Sequence, residues 1–347
     1  MLKTERRMAM LTPRRAAILR CVVEEYVDSA QPVASRTVAR KHRLAVSPAT
    51  IRNEMMRLED EGYLCQPHTS AGRVPSDKGY RYYVEQLMQE VAPTGETQRM
   101  IRHQFHQVSQ RLEDWTHLAA AVVAHHLHSV ALVTAPRQPR SQLRWLEIVR
   151  LQETLVLLVV ILQQARVRQR ILSLSQGLDQ ERLSEMAHAL CRRFAGMTAP
   201  MIRRRLAALG QVEQEVMEAV ASLMEREDLA ESEPAALEGI GDLARQPEFA
   251  ERDRLLPLLD YLEGHRVGRL LPFPGPPRGS VRIIIGSEHP EATLHAFSLV
   301  VASYGGPEGP QGEVALLGPT RLRYGQAVGM VRYVASLLDE LMSIFWG

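Results

Sequence analysis

The sequence predicts an α+β protein of several domains, and three observations support this fold class. Residues 1–92 carry short helical patterns that end in a hairpin pattern. Residues 143–174 carry three strand patterns at hairpin spacing, followed by helical patterns. Further helices and strands flank that block, and a Pro-Thr-Gly break at 93–95 separates them from the N-terminal segment. A chain of 347 residues is long enough for two or three domains that each bury a core.

Two helical patterns come first along the chain. Thr12-Pro13 is a cap-then-proline signal and opens a helix with an apolar stripe. After a turn, Ser35 suits the start of a short second helix in which Val38 faces inward. Two helices joined by a short turn are a frequent unit of DNA-binding proteins.

The stretch that begins at Ser47 predicts a third, amphipathic helix. Ser47 is a good N-cap, and Pro48 suits the first helical position because its missing N–H would be unpaired there anyway. The spacing i, i+4, i+7 predicts a buried stripe of Ile51, Met55 and Leu58. Acidic residues gather at the far end. This polarity fits a recognition helix, which contacts DNA mostly with its N-terminal residues.

A hairpin pattern follows this helix. Gly62 ends the helix, residues 63–66 form a strand pattern, and His68–Arg73 form a turn before the short return Val74-Pro75. A helix followed by a basic hairpin is the layout of a winged helix-turn-helix. An ordinary amphipathic helix beside a surface hairpin gives the same local pattern, and the two helices upstream shift the balance towards DNA binding.

The charge distribution agrees with this interpretation. The net charge of the chain is only +2, but residues 1–90 hold fifteen Lys or Arg against eleven Asp or Glu, and the remainder holds 27 against 29. The basic excess therefore lies on the segment with the helices and the hairpin.

Exposed polar side chains of this segment are the candidate DNA contacts. Arg can bond guanine and Asn adenine in bidentate fashion, so Arg52 and Asn53 are candidates for base or phosphate contacts. We expect Arg36, Thr37 and Lys41 to contact the DNA backbone. The full predicted set is Arg36, Thr37, Lys41, Ser47, Ala49, Thr50, Arg52, Asn53, Arg57, His68, Thr69, Ser70 and Arg73.

Helical spacing dominates the next segment and the C-terminus. Seven apolar residues from Ile101 to Val122 alternate spacings of four and three, which predicts either a short coiled-coil seam or a long helix on a sheet. The same spacing recurs from Val328 to Phe345. Both alternatives are compatible with a dimer.

The middle of the chain predicts an inserted unit. Its strand patterns cover 143–151, 155–162 and 166–174, and helical patterns follow, the fourth of them a short helix at Ala235–Arg245. A helix at 251–263 and strands near 269–273, 282–285, 297–302 and 313–317 resume the outer pattern. The simplest organisation is an N-terminal domain over 1–92, one α/β domain formed by 96–140 and 246–347, and an insertion over 141–245.

The sequence gives little indication of other classes of site. Three distant cysteines give no disulfide framework and suit a reducing cytoplasm. The longest apolar run, Leu155–Leu162, is about half of a membrane span. His125, His126 and His128 are expected to be a polar helix end, and no nucleotide-binding, metalloprotease or nucleophile motif occurs. We therefore predict neither an enzyme nor a cofactor.

The N-terminal motifs resemble the heat-inducible transcription repressors of the HrcA family, which control bacterial chaperone operons. The matching stretches are Leu11-Thr12, Ile18-Leu19, Pro32-Val33, Ser35-Arg36, Ser47–Met55, Leu58-Glu59, Gly62–Leu64, Gln66–Arg73 and Gly79–Val84, with Ser298–Val300, Ala302–Tyr304, Leu317–Arg321 and Tyr324 near the C-terminus. One departure is the Gly-rich stretch from Tyr304 to Gly312, which is longer than expected.

The resemblance implies a fold and a mechanism. It implies a GAF-like domain that carries an inserted dimerisation domain, and an operator that lies before chaperone genes. It also implies that the chaperonin keeps the repressor folded and active, so that heat-damaged proteins, by competing for chaperonin, cause derepression.

From the residues and the resemblance together, we expect a cytoplasmic, dimeric repressor of heat-shock operons. Its operator would be an inverted repeat with half-sites about one or two helical turns apart. The alternative is a winged-helix repressor gated by a small-molecule effector in the GAF-like domain. A nucleic-acid-processing enzyme with a winged-helix module would need clustered carboxylates or a metal-ligand set.

Overall fold

The computed structural model describes residues 10–41, 46–68, 71–108, 111–136, 141–163, 166–230, 234–249, 256, 259–261, 271, 275–305 and 310–346. Its helices are α1 (Pro13–Ser29), α2 (Ser35–Lys41), α3 (Pro48–Asp60), α4 (Asp77–Tyr82), α5 (Gly95–Gln107), α6 (Leu112–Leu127), α7 (Gln180–Phe194), α8 (Ala199–Arg203), α9 (Gln211–Ala230), α10 (Ile240–Ala244) and α11 (Tyr324–Trp346). Its strands are β1 (Leu64–Cys65), β2 (Val74–Pro75), β3 (Val130–Thr134), β4 (Leu143–Arg150), β5 (Leu155–Leu162), β6 (Val167–Ser173), β7 (Pro234–Glu238), β8 (Val281–Ile285), β9 (Phe297–Gly305) and β10 (Gln311–Pro319). None of the described helices is long and apolar enough to cross a membrane.

The elements form three units. The N-terminal unit contains α1 to α4 and the β1–β2 hairpin, in which Leu64 pairs with Pro75 and Cys65 with Val74. The outer unit is built on a five-stranded antiparallel sheet in the order β7-β3-β10-β9-β8. The inserted unit contains the three-stranded antiparallel sheet β4-β5-β6 and the helices α7 to α9. A mixed α and β architecture is thereby confirmed.

The predicted start signals of the N-terminal helices are found in the structure. The Thr12 and Ser47 side chains accept hydrogen bonds from the backbone N–H groups of Arg15 and Thr50, and a proline follows each cap. These bonds satisfy N–H groups that the first turn of a helix leaves unpaired.

The outer sheet separates two apolar layers. On one face, Val133, Val300 and Leu316 pack in a large core to which α6 and α11 contribute. On the other face, Leu132, Val301 and Leu317 pack with Phe249, whose ring stacks on Phe297 at 5.0 Å between centroids. Both faces of the strands are therefore covered, which explains the near-continuous apolar sequences of β9 and β10.

The helix predicted over 235–245 is wrong. Pro234–Glu238 is instead strand β7, which pairs with β3 at the edge of the outer sheet, and only Ile240–Ala244 is helical. Pairing with β3 overrides the helix propensity of the Ala-Ala-Leu-Glu segment. In the structure, strand β7 is part of the five-stranded outer sheet.

The continuous helix that both interpretations of Ile101–Val122 assume is also wrong. The backbone leaves the helix at Val108, which is extended, and α6 begins anew at Leu112. Ile101, Phe105 and Trp115 are nevertheless buried in the same core, so the spacing correctly identified apolar residues that face the interior. The predicted helix at 251–263 and the strand near 269–273 lie largely outside the described residues.

Candidate nucleic-acid interface

Packing of helix α3 decides which of its side chains face the solvent. Ile51, Met55 and Leu58 are buried in the core of the N-terminal unit, which confirms the predicted stripe. The opposite side of α3 is exposed and carries Ala49, Arg52, Asn53, Met56 and Arg57, while Thr50 is half-buried. The polar groups on this side are donors and acceptors of the kind that contact base edges and phosphates.

The N-terminal turn of α3 is ordered by its cap. The Ser47 hydroxyl lies 3.2 Å from the Thr50 nitrogen and 3.0 Å from the Thr50 hydroxyl oxygen. Backbone N–H groups at a helix start favour an anion such as a DNA phosphate. The contacts between Ser47 and Thr50 thus hold the N-terminal turn of α3 in place.

Helix α2 presents basic side chains beside α3. Arg36 is exposed and has no ion-pair partner among the described residues, and Thr37 is half-buried. Lys41 is exposed and contacts the Glu25 carboxylate on α1 at 2.7 Å. Of Arg36 and Lys41, Arg36 is therefore the one whose charge is not paired with a carboxylate of the described residues.

The hairpin is held close to α2 by backbone contacts. Val33 and Arg73 exchange two N–H···O=C hydrogen bonds of 2.9 Å. A Cβ on Gly72 would lie 2.5 Å from the Val33 carbonyl group, so only glycine fits at this close approach. His68 is exposed in the hairpin turn, and the predicted contacts Thr69 and Ser70 lie outside the described residues.

Arg73 does not extend freely from the hairpin. Its Nε donates to a carboxylate oxygen of Glu59 on α3 at 2.7 Å, and its side chain is only 18% exposed. In this structure Arg73 joins the hairpin to α3, a role that the sequence pattern did not suggest.

Acidic residues on α3 are engaged by arginines. The Arg15 Nε of α1 donates to Glu54 at 3.0 Å, and Arg15 also pairs with Glu61. Together with the pair formed by Glu59, these contacts offset negative charge close to the exposed face. Sequence spacing gave no signal for Arg15, since its partners lie 39 and 46 residues away.

Other candidate sites gain less support. Cys65 is exposed in β1, but its thiol is partly shielded from water. This partial desolvation, together with the nearby carboxylates of Glu59 and Asp77, raises the pKa of the thiol, which disfavours the reactive thiolate. The rings of His125 and His126 lie 5.7 Å apart at the end of α6. Across the described part of the chain, no group of three or more His, Cys, Asp or Glu side chains is placed to hold a metal ion.

Comparison with known proteins gives a consistent result. A profile described as "HrcA protein C terminal domain" matches residues 113–328. The heat-inducible transcription repressor HrcA of Dehalococcoides mccartyi (strain ATCC BAA-2266 / KCTC 15142 / 195) is 37% identical to this chain over 97% of its length and 98% of the relative. The protein of the same name from Roseiflexus castenholzii (strain DSM 13941 / HLO8) is 36% identical over 97% of this chain and 96% of the relative.

A solved structure shares the fold. The crystal structure of a hypothetical protein at 2.2 Å resolution superimposes with a TM-score of 0.57 at 21% identity, and the match covers 96% of this chain and 99% of the other.

Proposed function

The chain belongs to the HrcA family of heat-inducible transcription repressors, and on that premise we propose that it binds an inverted-repeat operator as a dimer and represses chaperone genes. The observation that carries the proposal is the capped helix α3, which buries its apolar stripe and exposes Arg52 and Asn53. In this proposal the N-terminal unit is a winged helix-turn-helix, with α3 in the major groove and the β1–β2 hairpin as the wing.

We assign base contacts to the exposed side of α3. Asn53 is suited to adenine and Arg52 to guanine or a phosphate, while Ala49 and Thr50 are small enough to let the helix approach the groove. Arg36, Thr37 and Lys41 contact the DNA backbone from α2. Phosphate contacts of this kind fix the register of a protein on the duplex.

The remaining predicted contacts are proposed with different roles. Ser47 orders the N-terminal turn, Arg57 faces the groove margin, and the turn formed by His68, Thr69 and Ser70 lies along the backbone. Arg73 holds the wing against α3 through Glu59, because its charge is already neutralised in the free protein.

An apolar face of the inserted unit supports a dimer. Trp145, Ile161 and Val167 form one row across the three strands, and Val149, Leu157 and Ile171 form another. The end residues of the two rows are exposed, from 38% for Val149 to 60% for Ile171. Between the two rows lie Glu147, Val159 and Gln169, so the face combines exposed apolar side chains with two polar ones. Large apolar side chains exposed together mark an interaction site. A second copy of the same face would cover it with twofold symmetry, which matches an inverted repeat.

The proposed regulation follows from membership of the family. The outer unit corresponds to the GAF-like domain, and the chaperonin maintains the repressor in its folded, active form. Heat-damaged proteins then compete for chaperonin, repressor is lost, and chaperone genes are expressed.

A second candidate is a repressor gated by a small molecule. A cleft of about 410 Å³ lies where the end of α1 meets the outer unit, and it is lined by Asp28, His126, Arg321, Arg323 and Gln326 among others. Polar side chains of both signs in a cleft between units are suited to a polar ligand that favours one arrangement of the units. This candidate predicts that a metabolite changes operator affinity without chaperonin.

Operator binding before and after heating separates the two candidates. Purified protein is titrated against the inverted repeat from its own chaperone promoter, at fixed salt, with and without chaperonin. The leading proposal predicts specific binding that falls after heating and is restored by chaperonin. Specific binding that chaperonin does not affect favours the small-molecule candidate, and equal binding to random duplex contradicts both.

A further inference from the structure

The N-terminal unit is docked on the outer unit through a shared apolar core, in which the Tyr80 ring of α4 lies 5.8 Å from the Tyr324 ring of α11, and through two polar contacts beside that core. One contact joins α4 to the end of β8, and the other joins the end of α1 to the loop before α11. Helix α3 takes part in neither contact, so docking leaves its exposed face free.

The first contact is a latch, which we define as Arg81 with Glu288 and Asp77 with Ser287. The Arg81 guanidinium donates to both Glu288 carboxylate oxygens, with the Nε contact at 2.7 Å, and to the Ile283 carbonyl oxygen at 2.8 Å. Asp77 accepts a hydrogen bond of 2.8 Å from the Ser287 backbone N–H. The Arg81 side chain is only 21% exposed and the Glu288 side chain 35%, so the pair is partly shielded from water.

The loop of the outer unit is shaped for this latch. Gly286 has φ +50°, and a Cβ there would lie 2.3 Å from an Asp77 carboxylate oxygen. The backbone N–H of Ile285 donates to Glu288 at 2.9 Å, which fixes the carboxylate that faces Arg81. Both the backbone and the acidic side chain of this loop are therefore arranged towards α4.

The second contact centres on Arg321. It donates to the Val27 carbonyl oxygen at the end of α1 at 3.2 Å, while Glu248 and Gln246 hold its guanidinium from the outer unit. Arg323 pairs with Asp28 at 3.0 Å beside it. The shared core brings the two units together, and the two separated polar contacts define the rotation of the N-terminal unit on that core.

From this geometry we infer that the Arg81–Glu288 latch is a specificity determinant that sets the half-site spacing of the operator. The inference rests on the proposed function, namely a dimer with one α3 helix per half-site. In such a dimer, the distance between the two α3 helices depends on the geometry of each junction between an N-terminal unit and an outer unit. A fixed junction selects one half-site spacing. A loosened junction allows many distances between the two α3 helices, so the effective concentration of the second helix at any one half-site is lower.

The test uses the full-length protein and inverted repeats whose spacer changes in steps of one base pair over about one helical turn. Wild type should bind one spacer at least about tenfold more tightly than the spacers two or more base pairs away. Arg81→Glu places two carboxylates together and should lower affinity for the best spacer and flatten the profile to within about threefold. The double variant Arg81→Glu/Glu288→Arg should restore the wild-type profile. Arg81→Met removes the charge without repulsion and should flatten the profile in the same direction.

Two controls separate the possible failures. Arg102→Glu breaks the exposed Arg102–Glu340 pair, which lies within the outer unit, and should leave the spacing profile unchanged. Affinity for a single half-site should be equal in wild type and all variants, because the latch does not contact DNA. A wild-type spacing profile in Arg81→Glu and Arg81→Met, with half-site binding intact, overturns this inference alone. Failure of wild type to prefer a half-site over random duplex overturns the proposed function and the inference with it.

Discussion

The N-terminal unit and the inserted unit are both small, yet they relate to the outer sheet in opposite ways. Core residues of the N-terminal unit, such as Ile18, Leu58 and Tyr80, belong to the same apolar cluster as Val300 and Leu316 of the sheet. The inserted unit has a separate cluster, to which Leu158 and Phe194 belong. The exposed face of the first is polar and basic, and that of the second carries two rows of apolar side chains.

This difference suits the two units to different proposed roles, DNA contact for the N-terminal unit and dimerisation for the inserted unit. A unit that shares its core with the sheet is held in a defined orientation, as the proposed contact with DNA at two half-sites requires. A unit with its own core can keep its fold while its open sheet face meets a partner. The comparison therefore predicts that the inserted unit unfolds independently of the other two units. It also predicts that damage to the inserted unit abolishes dimerisation but leaves the proposed DNA-contacting surface folded.

The largest expected effect comes from the inserted core. Phe194 is fully buried there, and Phe194→Ala should cost about 3–5 kcal/mol of unfolding free energy. Hydrogen exchange measured by mass spectrometry should show faster exchange in β5, while β10 of the outer sheet keeps its protection. Equal loss of protection in both strands would show that the two apolar clusters unfold together, and would contradict the independence of the inserted unit.

The next effect concerns the apolar face. Ile171→Asp places a charge on the most exposed apolar residue of the proposed interface in both copies, and should weaken dimerisation by about 3 kcal/mol, which corresponds to roughly a hundredfold. Sedimentation velocity over a dilution series measures the shift to monomer. Met201→Asp is the matched control, since Met201 is also exposed, at 46%, but lies on α8 away from the sheet face. An unchanged dimer in Ile171→Asp would place the interface elsewhere.

A smaller effect is expected on base contacts. Asn53→Ala should weaken operator binding by about 1–3 kcal/mol and leave binding to random duplex nearly unchanged, because a bidentate amide contact discriminates between bases. Asp60→Ala, at the far end of the same helix, should not weaken specific binding. The measurement is a pair of fluorescence-anisotropy titrations at one salt concentration. Equal losses on both duplexes would mean that Asn53 does not discriminate between sequences.

The smallest effect distinguishes two arginines of the N-terminal unit. Arg36→Gln should reduce the slope of log affinity against log salt by about one unit, as expected for one lost phosphate contact. Arg73→Gln should reduce it by less, because Glu59 already neutralises Arg73. A reduction of a full unit by Arg73→Gln would indicate that Arg73 leaves Glu59 when DNA binds.

Local signals explain what could be predicted from the sequence. The caps at Thr12 and Ser47, the stripe on α3 and the strands β4 to β6 depend on neighbours a few residues apart, and all were identified from the sequence. The features that were missed depend on distant partners. Strand β7 exists because β3, about a hundred residues earlier, supplies its hydrogen bonds, and Arg81 meets Glu288 across 207 residues. Within the candidate interface, exposure of Arg52 and Asn53 followed from the helical period, whereas the commitment of Arg73 to Glu59 did not.

The central claim is that two copies of α3, held in one dimer, contact the two halves of an inverted repeat. The most direct test is a stoichiometric titration of wild-type protein on the inverted repeat from its own chaperone promoter, beside a random duplex of equal length. We predict two chains per operator and an affinity at least about a thousandfold above that for random duplex. Binding of one chain per operator, or equal affinity for the two duplexes, would contradict the account.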